Sequence, residues 1–126
     1  MTDVKIKVEP DSDLTAFTIV GELTAGDARD AIQKFYEGHV TLNVLWDMSQ
    51  SDVSKLSAAD VHSIVHAPRK CPEMRKGGKT AIVAPTDIAF GLTRMYEFMT
   101  ETLNYSFKTQ AFRTSQEAYR WLREDH

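Results

Sequence analysis

The stretch that decides the fold is VTLNVLWDM, residues 40–48, which is almost continuously apolar. Such a run without alternation is typical of a strand that is buried on both faces, as in the parallel sheets of α/β proteins. A second run of this kind, KTAIVA at residues 79–84, comes later in the chain. A helical pattern separates the two runs. We therefore predict that they lie side by side and parallel, joined by a right-handed crossover.

Toward the N-terminus, residues 4–8 alternate between apolar and charged side chains, which is typical of a strand with one wet face. Residues 14–20 are dense in Thr, Phe, Ile and Val and indicate a second strand. The turn sequence at residues 10–13 separates these strands and predicts an antiparallel hairpin.

Helix starts are predicted where a hydroxyl residue precedes an acid by three positions, because such a pair can satisfy two free N–H groups. The matching pairs are Thr24 with Asp27, Ser57 with Asp60, and Thr114 with Glu117. A long helix is predicted at residues 87–103 and a last strand at 106–112. The order ββαβαβαβα predicts one α/β domain over residues 1–126. Its sheet is mixed and mostly parallel, with an antiparallel N-terminal edge, and it packs against helices.

Composition restricts the classes of function. A net charge of −3 argues against wholesale nucleic-acid binding. The single cysteine, Cys71, permits no internal disulfide, which fits a reducing compartment. The N-terminus lacks the apolar core of a signal peptide, and no run approaches the roughly 18 apolar residues of a spanning helix. We therefore expect a cytoplasmic protein without a transmembrane segment, for which a peripheral membrane contact is left open.

Four motifs in the second part of the chain resemble one family. They are VLWDMS (44–49), GKTAIVAP (78–85), FGLTRMYEFM (90–99) and AFRTSQEAYRWL (111–122). In this order and spacing the chain resembles the SpoIIAA-like family, a relative of the STAS (sulfate transporter and anti-sigma factor antagonist) domains. The resemblance implies a regulatory, protein-binding module without a cofactor. This family is also likened to lipid-binding folds, so a carrier or sensor of a small apolar ligand is the alternative.

Anti-sigma factor antagonists related to this family carry a phosphorylated serine in a D-S-S-G motif at the start of the second helix. The matching stretch here is LSAADV, residues 56–61. The phosphoacceptor position holds alanine and the glycine position holds Asp60, which argues against a phosphorylation switch. Ser57 is interpreted as a helix cap, with a regulatory serine as the alternative.

Candidate site residues follow the two central strands. Asp47 and Ser49 come at the end of the first strand, and Thr86 and Asp87 follow the second. Because ligands of open α/β sheets bind beyond the carboxyl ends of strands, we expect these residues at one binding edge. The alternative for Asp47 is a local turn cap.

The helix at residues 87–103 carries more apolar side chains than one sheet-facing stripe requires. One face holds Ile88, Leu92, Met95 and Met99, and another holds Phe90, Phe98 and Tyr105. The surplus is interpreted first as core. The alternatives are the lining of a ligand cavity or a homodimer contact, for which the binding candidates are Phe90, Met95, Phe98 and Met99.

Other patterns carry weaker hypotheses. His62 and His66 are spaced i, i+4 without an obvious third ligand, so no metal is predicted. Basic residues cluster at Arg69, Lys70, Arg75, Lys76 and Lys79. They are interpreted as a solvated surface, with contact to an anionic partner as the alternative. The chain has no nucleophile elbow, phosphate loop or dinucleotide motif, so we expect no enzyme; Asp47 is the centre of the remaining enzyme hypothesis.

Overall fold

The computed structural model describes residues 2–67 and 72–124. They form a five-stranded sheet in the order β1-β2-β3-β4-β5. The strands are β1 (Asp3–Glu9), β2 (Leu14–Glu22), β3 (Asn43–Asp52), β4 (Lys79–Val83) and β5 (Lys108–Phe112). The helices are α1 (Ala25–Glu37), α2 (Ala58–Val65), α3 (Asp87–Thr102) and α4 (Ser115–Arg123). Short 3₁₀ helices cover Pro10–Ser12 and Pro72–Arg75.

The sheet is antiparallel only between β1 and β2, where Ile6 lies opposite Phe17. The pairs β2–β3, β3–β4 and β4–β5 are parallel. In the pair that decides the fold, Trp46 of β3 lies beside Ile82 of β4. The predicted parallel neighbours, the antiparallel N-terminal edge and the ββαβαβαβα order are therefore confirmed.

The bounds of β3 differ from the prediction. It begins at Asn43 rather than at residue 40, and it continues to Asp52. The extension pairs with β2, where Ser51 lies beside Gly21, after a bulge near Thr18. Because β4 ends at Val83, the last part of β3 has β2 as its partner and is more exposed than the first part. Polar residues suit that position, which is why the apolar run does not include them.

Two cores fill the layers on either side of the sheet. Strand alternation sends Phe17, Ile19 and Val44 to the face that is covered by α1, α2 and α3. The opposite face, which includes Leu14 and Leu45, packs against α4.

The buried face of α3 is not the predicted stripe of Ile88, Leu92, Met95 and Met99. Its buried residues are Ala89, Thr93 and Thr100, whereas Ile88 is 61% exposed. The two threonine hydroxyls donate to backbone carbonyls within the helix, so their burial leaves no hydroxyl unsatisfied. A hydrophobic pattern cannot reveal a core face that is built partly from threonine.

The interpretation of the basic cluster as a solvated surface is wrong for two of its members. Arg75 and Lys79 are only 2% and 3% exposed. The Lys79 ammonium donates to the Trp121 carbonyl at 2.6 Å and so stabilises the end of α4. Arg69 and Lys70 lie outside the described residues.

Candidate functional site

The carboxyl edge, which we define as the ends of β2–β5 with the helix starts that follow them, collects the polar candidates. Each of the four helices begins directly after one of these strands, so all four starts lie at this edge. Each start is capped by a hydroxyl oxygen that accepts a hydrogen bond from a backbone N–H three residues later. The capping residues are Thr24, Ser57, Thr86 and Thr114.

Asp47 forms a local contact rather than an open carboxylate site. Its Oδ1 accepts hydrogen bonds from the Ser49 amide at 3.0 Å and the Ser49 hydroxyl at 2.6 Å. Thr86, in contrast, caps α3 by accepting from the amide of Ala89 at 3.1 Å. The structure therefore gives Asp47, Ser49 and Thr86 structural roles, and their role in binding stays a prediction.

Asp87 and Phe90 both contact Arg113. The guanidinium lies 2.8 Å from the Asp87 carboxylate and donates to the Pro85 carbonyl at 3.1 Å. It also lies 4.2 Å from the centroid of the Phe90 ring. This contact joins the β4–α3 connection to the segment after β5. The Arg113 guanidinium therefore covers one face of the half-buried Phe90 ring, and the binding role of Phe90 stays a prediction.

Ser57 and Asp60 form a reciprocal capping box at the start of α2. The Ser57 hydroxyl accepts from the Asp60 amide at 3.1 Å, and the Asp60 carboxylate accepts from the Ser57 amide at 2.8 Å. The cap interpretation is therefore what the geometry shows. The regulatory role of this exposed serine stays a prediction.

Replacing Ser57 with alanine should lower the free energy of unfolding by about 1 kcal/mol, because one amide at the helix start loses its acceptor. Ser57→Asp should stay within about 0.5 kcal/mol of the wild type, since aspartate is an equally good cap. Urea denaturation followed by circular dichroism measures both variants. Equal stability of the alanine variant and the wild type would contradict a stabilising cap.

One side of α3 exposes apolar side chains to solvent. The α3 flank, which we define as Ile88, Met95 and Phe98, lies on a single side of the helix. Ile88 is 61% exposed and Phe98 is 68% exposed, while Met95 is half-buried. Met99, the last candidate of this helix, is also half-buried. The interpretation of the surplus apolar residues as core is therefore wrong for Ile88 and Phe98, which lie at the surface.

An apolar cavity of about 100 Å³ lies between the sheet and the helices α1, α2 and α3. Its walls include Ile19, Met48, Leu56, Ala89 and Leu92. Sequence reasoning did not predict most of these residues, because a cavity depends on how helices sit on the sheet. Pockets for drug-sized ligands measure roughly 300–1,000 Å³, so the lipid-carrier hypothesis finds no support in this volume.

Two histidine rings at and near the end of α2 lie close together. The rings of His62 and His66 lie 4.6 Å apart, centroid to centroid. Within residues 2–67 and 72–124, no group of three or more His, Cys, Asp or Glu side chains is placed to hold a metal ion. Cys71 lies outside these residues.

Among the helices within residues 2–67 and 72–124, none has the length and apolarity to cross a membrane.

A family model described as SpoIIAA-like matches residues 14–123. The chain belongs to the SpoIIAA-like family. The resemblance that the four motifs indicate is thereby confirmed. Among curated proteins, none matches this SpoIIAA-like chain significantly.

Two solved structures share the fold of this SpoIIAA-like domain. One is an uncharacterized protein of the DUF3478 family from Shewanella loihica PV-4, described as having a SpoIIAA-like fold; it is 20% identical and has a TM-score of 0.58. That alignment covers 96% of this chain and 93% of the other. The second is the anti-sigma factor antagonist SpoIIAA in its unphosphorylated form, with 13% identity and a TM-score of 0.55. It covers 98% of this chain and 100% of the other. At these identities the likeness concerns the fold.

Proposed function

We propose that this SpoIIAA-like domain is a regulatory module that acts by binding another protein, and that it is not an enzyme. The observation that carries the proposal is the α3 flank, where Ile88 and Phe98 are 61% and 68% exposed. Large apolar side chains beside a polar edge match the composition of protein interfaces, in which an apolar centre is surrounded by a polar rim. The polar part here is the carboxyl edge with its capped helix starts.

Family membership supports the class of function. The SpoIIAA-like fold suggests a regulatory, protein-interaction module, and one structural neighbour is an anti-sigma factor antagonist. A protein that regulates a sigma factor, including a kinase-like one, is therefore the first partner to test. The cytoplasmic location that we expect from the sequence belongs to the same proposal.

Binding of the partner is proposed to be independent of phosphorylation at Ser57. A phosphate there would meet the Asp60 carboxylate, whose oxygen lies 2.8 Å from the Ser57 amide in the capping box. The phosphate and the carboxylate would repel each other as like charges, and the reciprocal cap would be lost. The alanine at the phosphoacceptor position of the family motif supports the same view.

The double variant Ile88→Glu/Phe98→Glu should weaken partner capture by at least tenfold, because burying one such side chain contributes roughly 1.5–3 kcal/mol and 1.4 kcal/mol is tenfold in affinity. The matched control is Arg120→Glu, which makes the same change of net charge at an exposed position of α4, on the opposite face of the sheet. Capture of candidate regulators from the native host by the tagged protein, followed by titration calorimetry, measures the effect.

Equal binding by the double variant and the wild type would show that the α3 flank does not contact the partner. Light scattering after size-exclusion chromatography tests whether a second copy of this chain binds the flank instead. If the wild type is a dimer that the double variant converts to a monomer, the flank binds a second copy instead of a partner.

A further inference from the structure

The cavity beneath α2 and α3 reaches the carboxyl edge. Among its lining residues, Ile19 and Ile32 are buried, whereas Met48, Leu56 and Leu92 retain exposed surface. Leu56 directly precedes the Ser57 cap, and Leu92 lies in the first half of α3. The cavity is therefore closed on the side of β2 and α1, where its lining is buried. Its accessible side lies near the α3 flank.

The size and polarity of the cavity limit what can occupy it. Its volume is about 100 Å³, and its lining is almost wholly apolar. Since one water molecule takes about 30 Å³ of the liquid, this is the volume of about three waters, or of an aliphatic side chain with three or four carbons. Water gains little there because it finds few polar partners. The Thr93 hydroxyl already donates to the Ala89 carbonyl at 2.8 Å.

The charges around the cavity are mostly negative. The charged side chains of the edge include the acids Glu22, Asp27, Asp52, Asp60 and Asp87 and the bases Arg29, Lys55 and Arg113. Lys55 pairs with Glu22 at 3.4 Å, and Arg113 pairs with Asp87 at 2.8 Å. Asp52 directly precedes Val53, which lines the cavity, and it forms no ion pair within 4 Å among the described residues, although Lys55 is close enough to interact with its charge. Hydrogen bonds from Ser54 hold the pKa of Asp52 below its usual range, so it is charged at neutral pH.

We infer that the cavity is the socket for one aliphatic side chain of the protein partner, presented by a segment with Lys or Arg on either side of it. This inference rests on the proposed function and adds the chemistry of the contact. A single anchor that fills a desolvated pocket typically carries much of the binding energy of an interface. The flanking cations complement the acidic edge and increase the association rate. The α3 flank then surrounds the anchor and excludes water.

The inference can be tested with two synthetic peptides, acetyl-Lys-Lys-Leu-Lys-Lys-amide and the same peptide with Ala in place of Leu. Methyl-detected NMR titration of the full chain follows Met48, Leu56 and Leu92. We expect the leucine peptide to bind about tenfold more tightly and to shift these methyl signals, because only leucine fills the cavity. Higher salt should weaken the binding of both peptides to a similar extent, because it screens the attraction between their lysines and the acidic edge.

Variants that fill the cavity give the decisive control. Ala89→Leu should remove the preference for the leucine peptide, since Ala89 lines the cavity. Ala31→Leu is the matched control, because Ala31 lines a separate groove beside β1; it should retain the tenfold preference. If Ala89→Leu does not fold, Ala28→Val fills the same cavity from α1.

Three results would overturn the inference. They are equal affinity of the two peptides for the wild type, a preference that survives Ala89→Leu, and methyl shifts caused by xenon or benzene but by neither peptide. The last result would assign the cavity to a free apolar molecule. If Ile88→Glu/Phe98→Glu abolishes partner capture while Ala89→Leu leaves it unchanged, the socket is refuted and the proposed function stands. If no partner is captured at all, the proposed function itself fails.

Discussion

Replacing Arg75 with methionine is expected to lower the free energy of unfolding by about 3 kcal/mol, although methionine is apolar and of similar length. The guanidinium donates to the Leu42 carbonyl at 3.2 Å and to the Lys79 carbonyl at 2.9 Å. It also lies 4.3 Å from the centroid of the Phe107 ring, a contact that loses its cationic part in the variant. Methionine cannot donate to either carbonyl, so the buried Lys79 carbonyl and the half-buried Leu42 carbonyl each lose this hydrogen bond.

An opposing effect makes this prediction informative. Burial lowers the pKa of Arg75, because the charged form loses its hydration, and Tyr36 offsets this only in part. Replacing a buried charge by an apolar side chain can therefore stabilise a protein. We expect the unsatisfied carbonyls to dominate, because Arg75 connects the start of β4 to the segment before β3. Urea unfolding of Arg75→Met beside Lys76→Met, the exposed neighbour, should show a loss only in the first. Equal stability would mean that relief of desolvation cancels the lost hydrogen bonds.

The order and direction of the elements could be predicted because each depends on local signals. The apolar runs at residues 40–48 and 79–84 indicated buried strands, and a hydroxyl with an acid three residues later marked three of the four helix starts correctly. These signals act within a few residues. The parallel pairing of β3 with β4 then follows from the helix between them.

Burial of cations and threonines could not be predicted, because it depends on distant partners. Lys79 is buried because the end of α4 supplies carbonyl acceptors. One of these acceptors, the Trp121 carbonyl, lies 42 positions later in the chain. Arg75 likewise depends on Leu42, which is 33 positions away. In the sequence both residues belong to a basic run that is typical of a surface.

The position of the polar candidates at one edge of the sheet could be predicted from the sequence, but their contacts could not, and their role in binding stays a prediction. The carboxyl edge follows from strand direction, and the Ser57 cap from its spacing to Asp60. Asp47 is predicted as a binding residue with a local cap as its alternative, and the contact that the structure shows is local, from Ser49 to its carboxylate. The cavity depends on how helices pack around small residues such as Ala28 and Ala89. Alanine in a helix carries no signal for an unfilled space.

The second large effect is expected from Gly78→Ala, which should lower the free energy of unfolding by about 4 kcal/mol or prevent folding. A Cβ at this position would lie 2.1 Å from the Leu42 carbonyl oxygen and 3.0 Å from that of Arg75. Both atoms belong to the backbone, so neither can rotate away. The Gly78 amide also donates to the Arg75 carbonyl at 2.8 Å, and its carbonyl accepts from the Lys108 amide at 3.0 Å. Moving the glycine to relieve the clash would break these bonds.

The contrast with Gly91→Ala separates close approach from the general effect of removing a glycine. Apart from the adjacent residues and the backbone of the helix itself, no atom lies within 4 Å of a Cβ at Gly91, which is exposed in α3. Alanine is preferred over glycine in helices by about 1 kcal/mol, so this variant should be more stable than the wild type by roughly 0.5–1 kcal/mol. Thermal and urea unfolding of the two variants should therefore give shifts of opposite sign. A mild effect at position 78 would mean that β4 lies farther from the segment before β3 than the structure shows. The buried position of Arg75 depends on the same close approach, because Arg75 donates to the Leu42 carbonyl.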